Sequence, residues 1–90
     1  MTDDESEQLW LVERSYGHDE DLVTLVFATT DGTRQLKQQL SYNMLYGKKI
    51  TAGRTEPGSK LDEVKDEKTR ERYATEATRM AEKHDPDEEV

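Results

Sequence analysis

The run LVTLVFATT, Leu22–Thr30, with Asp31-Gly32 directly behind it, constrains this chain more than any other stretch. β-Branched and aromatic side chains favour a pleated, packed surface over a helix. Alternation puts Val23, Leu25 and Phe27 on one face and Leu22, Thr24, Val26 and Ala28 on the other. Asp-Gly between two patterned runs is a hairpin signal, so the next segment is expected to return beside this strand. Upstream, QLWLVERSY alternates in the same way, with Leu9 and Leu11 opposed to Trp10 and Val12. It predicts a first strand, separated from the second by the turn cluster GHDED.

The return segment, Thr33–Tyr46, has two readings. As a helix it offers Leu36, Leu40 and Met44 at i, i+4, i+8, with Thr33 as cap. As a strand it offers Leu36, Leu40, Tyr42, Met44 and Tyr46 on one face, interrupted by Gln38. The hairpin signal favours a strand over Thr33–Leu40. KKITAGR adds a short fourth strand, and Pro57-Gly58 in TEPGSK suits a type II turn. From Asp66 to His84 nothing interrupts a helix. Tyr73, Ala77, Met80 and Ala81 form its apolar stripe, Asp66 is placed to cap it, and Pro86 prevents its continuation. The expectation is an α+β domain: an antiparallel β-meander of three or four strands, packed by one C-terminal α-helix. Val23, Leu25 and Phe27 are expected to meet Tyr73, Ala77 and Met80. The domain spans residues 8–84, between a disordered acidic tail at 1–7 and a second acidic tail at 85–90.

Composition bounds function. At 90 residues with 31% apolar content the chain has room for one thin core. It has no cysteine, which excludes disulfides and thiol chemistry. No apolar run approaches a membrane span, and the opening MTDDESEQ is unlike a targeting signal, so the expected location is cytoplasmic. The net charge of −8 is unevenly spread. Met1–Asp31 carries nine acids and one base, Gly32–Lys60 six bases and one acid, and Leu61–Val90 eleven acids and six bases. The total opposes general binding to nucleic acid or anionic membrane. Excess carboxylate fits a surface adapted to molar salt, where self-repulsion is screened, and equally an ordinary acidic protein.

One stretch imitates a catalytic motif. ITAGRTEPGSK contains Gly53, four residues, Gly58, then Ser59-Lys60, close to the phosphate loop G-x-x-x-x-G-K-[ST]. The last two residues are exchanged, so lysine misses the position from which it reaches the phosphates, and Glu56 would oppose phosphate charge. A turn is the better reading. His18 beside Asp19, Glu20 and Asp21, and His84 beside Asp85, are too local to converge on a metal. Ser15, Ser41 and Ser59 lack a nucleophile-elbow context. No catalytic residue, cofactor or metal is expected, and the chain reads as a non-enzyme.

The central third holds the candidate site. Tyr42, Met44, Tyr46, Lys48, Lys49 and Arg54 combine aromatic, sulfur and cationic side chains of the kind enriched at protein interfaces. This predicts a protein-interaction module, binding a protein partner or a second copy. The alternative is a nucleic-acid accessory using Arg34, Lys37, Lys48, Lys49 and Arg54. A third reading is that these cations neutralise acids of the same chain.

The segments LWLVERSY, LVFATTDGTR and ERYATEATRMAEKHDPDEEV together resemble a group of small acidic proteins of halophilic archaea without assigned function. Those chains start with two strands around an Asp-Gly turn. They end in an R-E-R-Y-A-x-E-A-x-R-M helix followed by H-D-P-D. The resemblance covers about two thirds of the chain. It implies a salt-adapted, cytoplasmic archaeal setting and no catalytic or binding residue.

Overall fold

The computed structural model describes residues 5–16, 22–41 and 50–90. Five antiparallel strands form one sheet: β1 (Ser6–Tyr16), β2 (Leu22–Ala28), β3 (Arg34–Ser41), β4 (Gly53–Pro57) and β5 (Asp62–Glu63). One helix, α1 (Glu67–Lys83), follows. The α+β class and the C-terminal helix match expectation, while the sheet has one strand more than the three or four foreseen. Its order, β4-β1-β2-β3-β5, is also not a simple meander. The chain leaves β3 and crosses to the far side of β1 to form β4. It then returns to β3 for two residues as β5.

The β2–β3 hairpin forms at the Asp-Gly signal. The Gly32 amide donates to the Thr29 carbonyl and the Thr29 amide to the Arg34 carbonyl. Gly32 takes φ 73, and no other described residue has a positive φ. Asp31 ties the turn together: its Oδ1 accepts from Thr29 Oγ1 at 2.6 Å, Thr33 N at 3.0 Å and Thr33 Oγ1 at 2.8 Å. The Thr29 hydroxyl, then the Thr33 amide, hold the Asp31 carboxyl below its ordinary 3.8. A carboxyl depressed in the folded state stabilises above its unfolded value and loses that contribution as pH falls through the folded one. Urea titrations of the parent and Asp31→Asn should therefore differ by a constant amount above about pH 5. The gap should close as pH falls below 3.8.

Pro57-Gly58 does not make a type II turn, since Gly58 has no positive φ. Pro57 ends β4 in extended conformation, and Gly58–Lys60 form one 3-10 turn. The phosphate-loop resemblance fails too: an extended strand runs from Gly53 to Pro57 and separates Gly53 from Gly58.

Asp66 caps α1 as expected, accepting from Thr69 N at 2.9 Å and Thr69 Oγ1 at 2.8 Å. These two bonds, hydroxyl first, lower the Asp66 carboxyl. The face beneath the helix is not the one foreseen. Tyr73 packs with Val26, Ala28 and Val64, and Ala77 packs with Trp10 and Ala52. Val23, Leu25 and Phe27 join Leu9, Leu11 and Leu40 on the opposite face, which Met80 reaches from the rim. Ala28 and Ala52 let an alanine-bearing helix stripe approach the sheet closely, with Trp10, Val26 and Tyr73 filling the space around them. A β-bulge between Leu11 and Glu13 shifts the register of β1 against β2. Arg72 on the helix donates from Nη2 to Glu13 Oε1 of β1 at 2.8 Å.

The acidic segment at 85–90 lies alongside residues 50–53. Val90 N donates to Ile50 O, Ala52 N to Glu88 O and Gly53 N to Pro86 O, at 2.8–2.9 Å. His84 Nδ1 and the Asp85 amide hold Glu88 at 2.9 and 3.1 Å. His84, then that amide, lower the Glu88 carboxyl.

Candidate interaction surface

Of the residues singled out for partner contact, Tyr42, Met44, Tyr46, Lys48 and Lys49 lie outside the described residues, as does His18. Arg54 is described and lies on the sheet face away from α1. Its partner across the ladder is Leu9, and side chains directly opposite share a face. Its guanidinium donates from Nη1 to Gln38 Oε1 at 2.8 Å and pairs through Nη2 with Glu56. It also stands over the Phe27 ring, 5.4 Å from the centroid. Lys60 Nζ reaches the other Glu56 oxygen at 3.9 Å, and Arg34 pairs with Glu7. Three of the four central bases among the described residues thus have carboxylate partners in their own chain. Lys37 is exposed.

A cleft of about 540 Å³ opens on this face. Leu25, Phe27 and Leu40 form its floor, with Gln38, Arg54 and Glu56 among its polar lining. The polar groups are largely committed to one another. Among the described residues no three His, Asp or Glu side chains converge on a point where a metal could sit.

The two sheet edges are each covered over part of their length. Beyond β4, the chain segment at 86–90 takes up the Gly53 and Ala52 amides, and Pro57 at the strand end has no N–H to offer. Beyond β3 the situation follows from the ladder. The Thr29 N–H bond to Arg34 O makes that pair hydrogen-bonded. Antiparallel ladders alternate, so Phe27–Leu36, Leu25–Gln38 and Val23–Leu40 exchange bonds in turn. The main-chain groups of Thr33, Gln35, Lys37 and Gln39 then point away from β2. Thr33 O is taken by Val64 N, and Gln35 stands opposite Asp62 of β5. There β5 ends. Among the described residues no strand covers Lys37 and Gln39, and both side chains are exposed.

A family model matches residues 3–90: Family of unknown function (DUF7967). The chain belongs to that family. No curated protein and no solved structure matches it. No helix among the described residues is long and apolar enough to cross a membrane. Among the described residues of this DUF7967 member, the outward main-chain groups of Lys37 and Gln39 on β3, and of Thr55 on β4, have no strand beside them. The sequence names Lys37, Gln38 and Gln39 only as part of a polar, basic segment. Their edge position depends on β5 starting only at Asp62, and two charged residues carry no readable periodicity.

Proposed function

We propose that the chain is a non-catalytic protein-interaction module of a salt-adapted, cytoplasmic setting, and that it engages its partner by strand addition at β3. The observation that carries this reading is the outer edge of β3, where Lys37 and Gln39 present amides and carbonyls with no strand beside them among the described residues. Such an edge supplies main-chain hydrogen bonds to any extended segment laid against it. The carboxylate partners of Arg34, Arg54 and Lys60 weigh against the nucleic-acid alternative. That alternative needs cations free to replace counterions, and its affinity would fall steeply with salt.

Gln39→Pro tests the reading. The Gln39 N–H points away from β2, so proline removes an edge donor while sparing the bonds to β2. Tagged parent and variant would be captured from cells lysed at their own ionic strength, with and without nuclease. A stoichiometric protein, a second copy included, that survives nuclease and is lost with Gln39→Pro is the expected result. Retention only in the untreated half, or equal retention by the variant, would overturn it.

A further inference from the structure

We propose that residues 85–90 act as a latch on the β4 edge, closed while the His84 imidazole carries its proton and loosened when that proton is lost. The latch works on the side of the sheet away from β3 and does not depend on what binds there.

The latch is an extended segment laid against the start of β4. Thr51 and Glu89 form an antiparallel bridge. Around it Val90 N donates to Ile50 O, Ala52 N to Glu88 O and Gly53 N to Pro86 O. The fit is close: a Cβ on Gly53 would stand 3.2 Å from Pro86 Cα. Ala52 is fully buried and packs with Trp10 and Ala77. Opening the latch frees the Ala52 and Gly53 amides as donors to an incoming extended segment.

One carboxylate fastens it. Glu88 reaches back to the end of α1, accepting from Asp85 N at 3.1 Å through Oε1 and meeting His84 Nδ1 at 2.9 Å through Oε2. The Glu88 amide in turn donates to Asp85 O at 3.0 Å, so residues 85–88 close into a turn. His84 is the C-cap of α1, where a positive charge also meets the negative end of the helix. The other charges of the latch, Asp85, Asp87 and Glu89, are all negative. From β1, Glu13 and Arg14 line the same groove as His84, and α1 contributes Met80 to it. Arg14 and the adjacent Lys83 oppose an imidazolium, Arg72 being paired with Glu13.

Imidazole changes charge between about pH 5 and pH 8. Glu88 stays ionised there, its carboxyl being held below 4.5 by His84 and then by the Asp85 amide. Its contribution to the closed latch is complete above 4.5 and is lost as pH falls through the lower, closed-state value. Between about pH 5 and pH 8 the imidazole is therefore the side of the pair that changes. A neutral imidazole still offers Nδ1–H to Glu88, so losing the proton weakens the clasp without breaking it.

Amide exchange of the full chain at about pH 5.5 and about pH 8, expressed as protection factors, reads the latch at Ala52, Gly53 and Val90. The ionic strength is the lowest at which circular dichroism shows the native fold. Leu25, paired with Gln38 inside the sheet, reports opening of the whole domain. The three latch amides should be less protected than Leu25, and their protection should fall roughly 1.5- to 5-fold from the lower pH to the higher. His84→Gln keeps a donor without the charge. It should give the same protection at both pH values, near the parent's level at the higher one. Glu88→Gln leaves the helix end in place and should reduce the dependence. Protection in the parent that does not change with pH, or a dependence that persists in His84→Gln, overturns the proposal. A full dependence in Glu88→Gln overturns the clasp. Latch amides as protected as Leu25 also overturn it, since residues 85–90 would then open only with the whole sheet.

Discussion

Gly32→Ala is expected to destabilise the chain by roughly 2–5 kcal/mol, combining the cost of a left-handed conformation with overpacking. Two independent demands fall on this residue. The hairpin needs φ 73 here, a region in which a Cβ costs energy. The turn is also pressed against α1: a Cβ on Gly32 would lie 2.1 Å from the Arg70 carbonyl oxygen and 2.9 Å from the Ala74 amide nitrogen. Both are helix backbone and cannot swing aside, so the helix itself must move. The same first turns of α1 are pinned by Arg70, whose Nε donates to Val64 O at 2.6 Å and whose Nη2 donates to Lys65 O at 3.0 Å. Moving α1 loosens Tyr73 and Ala77 from the sheet and uncovers Trp10. Urea unfolding would give the loss, and Trp10 emission in the folded state should shift to the red. Gly32→Asn separates the two demands, because asparagine tolerates φ above zero yet still carries the Cβ. Asparagine should rescue only the smaller, backbone part. Full rescue would show that the hairpin does not touch the helix.

What could be read in advance was local, and what could not depended on distant pairing. The β2 strand, its Asp-Gly turn and the capped helix from Asp66 each announce themselves within a few residues. The face that α1 covers does not. Both faces of β2 are apolar, so alternation does not choose between Phe27 and Val26. The small surface at Ala28 and Ala52 receives the helix, and Ala52 reaches it only because the chain crosses to β1. Arg54 shows the same limit at the candidate site. Read as turn and strand end, Arg54 and Glu56 were separate charges. As residues i and i+2 of one strand they share a face and pair. That spacing is visible in the sequence, but it makes a pair only when residues 53–57 form one strand.

Phe27→Ala should cost about 3–5 kcal/mol. That is a large share of the roughly 5–13 kcal/mol available to a domain of this length. Phe27 is 3% exposed, packed in the layer of Leu9, Leu11, Val23, Leu25 and Leu40. Truncation removes its ring from that layer and from beneath Arg54. The two effects can be divided. Phe27→Leu keeps most of the volume and should cost about 1.5 kcal/mol or less from packing. Loss of the ring face adds about 0.5–1 kcal/mol, because Arg54 is half-buried rather than desolvated. Arg54→Gln removes the cation instead. In the double variant the cation–ring part can be lost only once, so the cycle should close with a coupling of about 0.5–1 kcal/mol. Zero coupling would mean that Glu56 and Gln38 alone hold the guanidinium. The position of α1 predicts a further contrast. Phe27 lies in the layer away from the helix, so Phe27→Ala should lower global stability while leaving Trp10 emission in the folded state unchanged. Gly32→Ala should alter both. A red shift in folded Phe27→Ala would place Phe27 beneath the helix after all, with Tyr73 and Ala77.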